Sequence, residues 1–397
     1  GRVGAMNEVD RRPDLRQARW QNAPEARSAP APADGVLPEG FFSTTNLPTY
    51  VKVDGEWRMP RTPRMDAAIV LEEDGSVRSL ESRYVQAGQP VALGYAEDGS
   101  EGIYVHASGF ASEAEAAEDE FQFMSSEVSR GKPVDYAEMA RRLVEEKRRG
   151  GHMVWVLGPA VLHSRGRDVM TWFIENGYVS VLLGGNAVAV HDIEQALMGT
   201  TLGMDRSGRP VSGGHAFHMR AINQIRKAGS IRAAVEQGVL REGIMHACVQ
   251  HDVPLVRAGS IRDDGPLPDT ITDAVRAQEL MREHAQRTTM AIMIATALHT
   301  IAFGNMLPAY CGEEESEIRP ITTIAVDSSE FVVSKLKDRG THQAFGVITN
   351  AQDFLHVLRH YVEAAEAEAA VPADADAVKS IQTRPGSPRV RRAVAGA

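Results

Sequence analysis

Charged side chains of both signs occur together in one glycine-bounded segment of this sequence. Arg262 is followed by Asp263 and Asp264, between Gly259-Ser260 and Gly265. A guanidinium binds a carboxylate through two parallel hydrogen bonds, and a carboxylate binds an ammonium group. This combination suits an amino acid as the ligand. We therefore predict that Arg262 binds substrate and that Asp263 and Asp264 are catalytic.

A Gly-Gly-Asn turn, Gly184-Gly185-Asn186, is the second candidate site. Glycines let backbone N–H groups approach a diphosphate at a helix N-terminus, where the helix dipole favours negative charge. Such a turn more often marks only the start of a helix, but its place after an apolar run favours a phosphate site. The helix that follows carries His191 and Asp192. We predict that one of these moves protons, although both could equally be solvated helix positions.

Glycine or polar residues also follow the other apolar runs. In an open parallel sheet the ligand crevice lies beyond the carboxyl ends of the strands, so these residues are candidates for cofactor contact. They are Gly158, Pro159, Gly184, Gly185, Asn186, Gly259, Ser260, Asp327, Thr349 and Asn350, and we add His163 and Asn186 as substrate contacts. Asp327 could accept hydrogen bonds from an adenosine ribose or could instead cap a helix. The chain has no G-x-G-x-x-G, Walker or G-x-S-x-G motif.

The elements that would position these residues alternate between strand and helix. Apolar, β-branched runs at 153–157, 178–183, 253–259, 321–326 and 344–349 precede or follow helical patterns. Such continuous runs indicate strands that are buried on both faces of a parallel sheet. The fold class predicted is α/β, with a Rossmann-like, doubly wound domain over residues 131–366.

A smaller β-rich domain is predicted before it, over residues 37–130. Alternating apolar and polar residues surround Asp54-Gly55 and again Asp74-Gly75, which is the pattern of β-hairpins. The flanking segments 1–36 and 367–397 are rich in alanine, proline and charge, and we expect both to be disordered.

Composition excludes several classes of function. The 397 residues carry 43 basic and 53 acidic side chains, a net charge of −10, which argues against binding a nucleic-acid backbone. Two cysteines cannot form a disulfide scaffold. His215 and His218 have no evident third ligand, so no metal is predicted. We expect a cytoplasmic, reduced protein.

One apolar stretch is long enough to cross a bilayer. Residues 288–312 contain no Asp, Glu, Lys or Arg, but threonines, His299, Asn305 and Pro308 interrupt them. We expect a core helix in its first half and no membrane contact.

Long strings of this sequence resemble one family. They include FFSTTNLPTYVKVDGEW, LGPAVLH, LLGGNAVAVHDIE, LVRAGSIRDDGPLPD, TALHTIAFGNMLP and FGVITN, within residues 41–358. The chain resembles the LOR/SDH-type family of archaeal and cyanobacterial NAD-dependent ornithine cyclodeaminases, without their arginine dihydrolase domain. The resemblance implies a small LOR/SDH-type β domain and an NAD-binding domain similar to the deoxyhypusine synthase fold. Separately, we expect a homo-oligomer.

The resemblance also implies a reaction. NAD is the cofactor implied, and L-ornithine becomes L-proline with loss of ammonia, through hydride removal from Cα, cyclisation and hydride return. Two alternatives stay open. The chain could be an NAD-dependent amino- or imino-acid dehydrogenase or cyclodeaminase of specialised metabolism acting on another substrate, or a catalytically silent, NAD-binding regulatory protein.

Overall fold

The structure is a computed structural model, and it describes residues 13–106, 134–163, 165–201, 203–205, 207–260, 263, 266–295, 297–312, 318–328 and 343–370. Arg262 and Asp264 lie outside these residues.

The N-terminal part of the chain forms two small antiparallel sheets. Their strands are β1 (Arg27–Pro30), β2 (Thr49–Val53), β3 (Glu56–Arg58), β4 (Ala68–Leu71), β5 (Val77–Leu80), β6 (Pro90–Leu93) and β7 (Ile103–Val105). One sheet has the order β1-β6-β4-β5 and the other the order β3-β2-β7. Both predicted hairpins are present, because β2 pairs with β3 and β4 pairs with β5.

The expected disorder of residues 1–36 is wrong for the part that the structure describes. Helix α1 (Ala18–Gln21) buries Trp20 against Trp57 at a ring separation of 5.7 Å. The ammonium of Lys52 donates hydrogen bonds to the carbonyl oxygens of residues 20, 21 and 23. Composition predicted disorder because it averages over the segment, whereas a single buried indole and strand β1 anchor it.

The second domain is an α/β unit, which confirms the predicted fold class. Its elements in chain order are α2 (Tyr136–Arg149), β8 (Met153–Leu157), α3 (Gly166–Glu175), β9 (Val181–Gly185), α4 (Asn186–Met198), α5 (Phe217–Ala228), α6 (Ile231–Glu236), α7 (Ile244–Gln250), β10 (Leu255–Ala258), α8 (Ala274–Arg287), β11 (Met290–Ile294), α9 (Ala297–Met306), β12 (Tyr310–Cys311), β13 (Arg319–Pro320), β14 (Thr322–Asp327), β15 (Gln343–Ile348) and α10 (Ala351–Ala370). The last helix therefore extends past residue 366 into the predicted disordered tail.

Six of these strands form one sheet with the order β10-β9-β8-β11-β14-β15. Every neighbouring pair is parallel. Numbered from β8, this is the order 3-2-1-4-5-6 of dinucleotide-binding folds. The direction of winding reverses between β8 and β11, and a ligand crevice is expected beyond the carboxyl ends of these two strands.

The predicted core helix in residues 288–312 is wrong in its first half. Met290–Ile294 is the buried strand β11, and α9 begins only at Ala297. A strand that is buried on both faces and a fully buried helix have the same apolar sequence, so periodicity could not separate them. No helix among the described residues is long and apolar enough to span a bilayer.

Helices cover both faces of the sheet. One face packs against α2 to α7 and α10, with Trp155, Phe173 and Phe354 fully buried in between. The other packs against α8 and α9, through Met281 and Phe303. The domains meet along α8, where the hydroxyl of Tyr84 donates a 2.7 Å hydrogen bond to Glu279.

Candidate functional site

The carboxyl ends of β8 and β11 meet at the point where the sheet reverses direction. The backbone N–H of Gly158, the residue after β8, donates a 2.9 Å hydrogen bond to the carbonyl of Ile294, the last residue of β11. Pro159 then starts a short 3-10 turn that ends at Leu162. Gly158 therefore lies at the switch point, where the sequence predicted a cofactor contact. We refer to the ends of the six strands on this side as the carboxyl edge.

Gly184 and Gly185 form the end of β9 at the carboxyl edge, and Asn186 begins α4. A Cβ at Gly184 would lie 3.3 Å from the carbonyl oxygen of Leu157 on the neighbouring strand. A Cβ at Gly185 would lie 3.2 Å from Cε1 of His299. The turn therefore leaves little room for side chains, and the N-terminus of a thirteen-residue helix lies directly behind it.

The side chain of Asn186 holds the loop that follows β10. Its Oδ1 accepts hydrogen bonds from the backbone N–H of Leu267, at 3.0 Å, and from the hydroxyl of Thr270, at 3.3 Å. Arg257, 6% exposed, donates to the carbonyl of Pro268 in the same loop. Sequence reasoning assigned Asn186 to ligand contact, and in this structure its oxygen instead positions the loop with the predicted substrate residues.

Asp263 is held at the carboxyl edge beside Gly259. Its Oδ2 accepts the N–H of Ser260 at 2.8 Å, and its own N–H donates to the carbonyl of Ser260 at 3.1 Å. The N–H of Gly259 donates to the carbonyl of Ile271, which closes the loop at its base. The strand end thus presents one carboxylate in a fixed turn.

Asp192 has a structural environment, which contradicts its prediction as a proton carrier. The carboxylate is fully buried and pairs with Nε of Arg167 at 2.7 Å. It also accepts the backbone N–H groups of Ile244 and Met245, at 2.9 and 2.8 Å. Because the carboxylate binds a guanidinium and two amides at the start of α7, it joins three helices and is not available to a ligand.

His191 and His163 each follow a strand end by six residues, after β9 and β8 respectively. His191 is in the second turn of α4, and its Nδ1 lies 3.7 Å from Oε2 of the fully buried Glu194. His163 is an exposed residue at the end of the turn after Leu162. Neither imidazole is among the three atoms nearest to a Cβ at Gly185.

Three predicted residues lie at the carboxyl ends of β14 and β15. Asp327 ends β14, and its carbonyl accepts the N–H of Thr349, so these two residues are adjacent at the strand ends. Asn350 caps α10, because its Oδ1 accepts the N–H of Asp353 at 2.9 Å. Its side-chain oxygen is therefore used by its own helix, and the prediction of Asn350 as a cofactor contact stays a prediction.

His299 is a site residue that sequence reasoning did not assign. It lies in the first turn of α9, immediately after the strand that was predicted as a helix. Its ring packs over Gly185 and is partly exposed. Burial lowers the pKa of His299 below its usual value, which favours the neutral imidazole.

A larger cleft, of about 570 Å³, lies at the junction of the two domains. Residues 56–63 line one side, and Gln286, Pro308 and Tyr310 line the other. None of the strand-end residues described above borders this cleft, so it is not the candidate site. Within the described parts of the chain, no three His, Cys, Asp or Glu side chains could hold a metal ion together.

Two family models match this chain over most of its length. Residues 48–137 match the first region of the C-terminal part of ArgZ-like arginine dihydrolases, and residues 137–358 match its Rossmann-fold region. The ornithine cyclodeaminase of Methanopyrus kandleri is 46% identical over 336 residues, covering 83% of this chain and 77% of the relative. The chain belongs to the ornithine cyclodeaminase family. That of Archaeoglobus fulgidus is 42% identical over 355 residues, covering 89% and 82%.

Solved structures agree with this ornithine cyclodeaminase assignment. A LOR/SDH protein from Methanococcus maripaludis S2 has a TM-score of 0.74 at 41% identity, covering 87% of this chain and 98% of that chain. The ternary complex of AgrE with ornithine and NAD+ has a TM-score of 0.54 at 36% identity, covering 88% of this chain and 47% of that chain. Curated AgrE is a bifunctional protein of Nostoc, and this chain corresponds to 47% of it, at 38% identity.

The resemblance stated from the sequence strings is therefore confirmed, and the chain is a member of an enzyme family. Its Rossmann-like fold is confirmed by both the family model and the strand order. A signal for His299 existed in the sequence. Once residues 290–294 are taken as a strand, His299 becomes another polar residue just beyond a strand end.

Proposed function

We propose that this chain is an NAD-dependent ornithine cyclodeaminase that converts L-ornithine to L-proline and releases ammonia. The observation that carries the proposal is the 3-2-1-4-5-6 sheet with glycines at its carboxyl edge, in a chain of the ornithine cyclodeaminase family. The AgrE complex with ornithine and NAD+ supports both ligands for a chain of this fold.

The residues present fit a dinucleotide. Gly184 and Gly185 are partly exposed at the end of β9, where a Cβ would meet the carbonyl of Leu157 or the ring of His299, and Gly158 is buried directly after β8. A helix begins directly after Gly185, and its N-terminus favours a negatively charged group. We propose that these glycines, with Pro159, Gly259, Ser260, Asp327 and Thr349, hold NAD.

NAD, when bound, supplies the oxidation of the Cα–H bond and its later reversal. The protein must hold the substrate Cα close to the cofactor, exclude water and bind the charged ends of the amino acid. In the loop after β10, a hydrogen bond from the N–H of Ser260 holds the carboxylate of Asp263 at this edge. We propose that it binds an ammonium group, and that Arg262 and Asp264 of the same loop complete the substrate site.

The decisive experiment combines the purified chain with a catalytic amount of NAD and an excess of L-ornithine. We expect proline and ammonia in equal amounts, with no accumulation of NADH. NADH that rises in proportion to product would indicate a dehydrogenase instead. NAD binding without ammonia release from L-ornithine would contradict the proposal.

The role of Asp263 is tested by Asp263→Asn, with Asp269→Asn in the same loop as the matched control. The exposed Asp269 has a φ of 65°, a conformation that asparagine also tolerates. Loss of a charged hydrogen bond of about 1.5–3 kcal/mol should lower kcat/KM about 10- to 100-fold in Asp263→Asn only. Undiminished turnover with intact NAD binding would refute its substrate role.

A further inference from the structure

The imidazole of His299 and the Gly184-Gly185-Asn186 turn come from different segments of the chain but share one corner of the carboxyl edge. A Cβ at Gly185 would be 3.2 Å from Cε1 and 4.0 Å from Nε2 of His299. The same Cβ would be 3.9 Å from the carbonyl oxygen of Ala258, the residue before Gly259. Gly259 in turn lies beside the Asp263 carboxylate. The imidazole therefore lies at the corner between the proposed dinucleotide turn and the proposed substrate loop.

Cyclodeamination needs a group that both accepts and donates protons. At neutral pH both amino groups of a diamino acid are ammonium ions, which have no lone pair for attack on an imine carbon. The attacking nitrogen must lose a proton before its C–N bond forms, and the departing nitrogen must gain one before it leaves as ammonia. The group that does this must be uncharged at rest and within reach of the substrate.

Other titratable groups near the edge are less suited to this role. Asp192 is enclosed by Arg167 and two backbone amides. His191 lies against Glu194 in the second turn of α4. Asp263 and Asp327, on the two sides of the switch point, are carboxylates, which are better suited to binding an ammonium ion than to deprotonating it.

We propose that His299 is the general base and acid of the cyclisation step, an inference that rests on the proposed function. The imidazole takes a proton from the side-chain ammonium, and the lone pair released forms the new C–N bond at the imine carbon. The π electrons of the imine move to the α-nitrogen, which takes that proton back from the imidazolium. The imidazole then carries a second proton from the new ring nitrogen to the α-nitrogen. Ammonia leaves as the old C–N bond breaks, the lone pair of the ring nitrogen forms the cyclic iminium, and no electrons are exchanged with another molecule. The missing Cβ at Gly185 leaves room for the ring at this corner of the carboxyl edge.

The first test is a footprint that does not depend on turnover. Diethyl pyrocarbonate acylates accessible imidazoles, and mass spectrometry of the peptides gives the rate for each histidine. NAD and L-ornithine, each at about ten times its Kd, should slow acylation of His299 about tenfold. His356 and His360, exposed on α10 across the sheet, are the internal controls and should react at unchanged rates.

The second test compares His299→Ala and His299→Gln with His356→Gln. Both His299 variants should lower ammonia release about 10²- to 10⁴-fold at an unchanged NAD dissociation constant, and added imidazole should restore activity to His299→Ala only. His356→Gln should behave as wild type. Rescue by imidazole is a response that a purely structural role of the ring would not give.

The proposed function and the role of His299 are refuted by different results. Ammonia release by the wild type, together with an unprotected His299 or fully active His299 variants, overturns the inference and leaves the proposed function intact. Absence of ammonia release from L-ornithine by the wild type overturns both. Protection of His299 with loss of activity in its variants supports the inference.

Discussion

The two ends of the central sheet differ in the groups that they present. At the end where the strands begin, which we call the amino edge, polar side chains pair with each other. His152 and His284 stack in parallel at 5.5 Å, with Nε2 of His152 3.2 Å from Nδ1 of His284. Glu146, almost fully buried, pairs with the guanidinium of Arg319. These groups satisfy one another and close the edge.

At the carboxyl edge the chain presents backbone instead. Gly158 follows β8, Gly184 and Gly185 end the adjacent β9, and the side chain nearest to a Cβ at Gly185 is that of His299. The difference teaches that a buried edge with paired polar groups stabilises the fold, whereas an edge of accessible backbone can bind a ligand. Substitutions at the two edges should therefore affect different measurements.

The largest expected effect concerns the buried carboxylate of Asp192, which joins α3, α4 and α7. Asp192→Ala would leave the buried guanidinium of Arg167 and two amides at the start of α7 without their carboxylate. Breaking such a pair from one side costs about 3–5 kcal/mol. Urea unfolding should show this loss, while Asp168→Ala, an exposed position on α3, should change stability by less than about 0.5 kcal/mol. A loss of unfolding free energy below about 1 kcal/mol in Asp192→Ala would show that the carboxylate does not hold these helices together.

A pair of glycine substitutions compares the edges directly. At the amino edge, a Cβ at Gly151 would lie 2.5 Å from Oγ1 of Thr289 and even closer to the carboxylate of Glu146. Gly151→Ala should therefore cost about 1–3 kcal/mol of stability with an unchanged NAD dissociation constant. Gly185→Ala should instead weaken NAD binding about tenfold with a small stability change. Equal effects of both on NAD binding would remove the functional distinction between the edges.

The stacked histidines make the amino edge sensitive to acid. Burial, followed by the charges of Arg287 and His284, lowers the pKa of His152 from 6.5 to about 4. Between those values the unfolded chain binds more protons than the folded chain, so stability is complete above pH 6.5 and falls as the pH drops toward 4. Solvent access to the partly exposed ring limits the loss to about 1–2 kcal/mol.

His152→Gln is the control for this pH effect. Glutamine removes the titrating ring, so its unfolding free energy should show a shallower decline between pH 6.5 and 4 than that of the wild type. Thermal melts across this range give the comparison. Parallel profiles for the two proteins would show that another group causes the loss.

The sequence was informative about the two edges to different degrees. Alternation of apolar runs and helices predicted five of the six strands, and the Gly-Gly-Asn turn was placed correctly at the end of β9. Strand β11 was missed, because Met290–Ile294 has the composition of a buried helix as much as that of a buried strand. With that strand misassigned, neither the switch point nor His299 could be recognised.

The roles of individual polar residues were harder to predict than their positions. Asp192 was correctly placed on the helix after β9, and Asn350 directly after the end of β15, but their partners come from distant or later segments. Asp192 caps α7, which begins about fifty residues further along the chain, at Ile244, and Asn350 caps its own helix. Sequence spacing shows which residues share an element, whereas the pairing of a carboxylate with a distant guanidinium depends on packing between helices.

The smallest expected effect concerns strain at the carboxyl edge. Ala295, directly after β11, has a φ of 54°, a left-handed conformation that costs an L-residue with a Cβ about 1 kcal/mol or more. Its N–H donates to the carbonyl of Val326 at 2.8 Å, which fixes the chain just before α9 and therefore the start of the helix that carries His299. Ala295→Gly should stabilise the fold by about 0.5–1 kcal/mol, because glycine adopts this conformation without strain. Asp252→Gly, at a φ of 52° in a surface turn, is the matched control and should gain less, since aspartate tolerates the left-handed region.

If the strain helps to hold His299 over Gly185, the same Ala295→Gly variant should lose turnover while it gains stability, and a variant that gains both would show that the strain at this strand end has no part in the reaction.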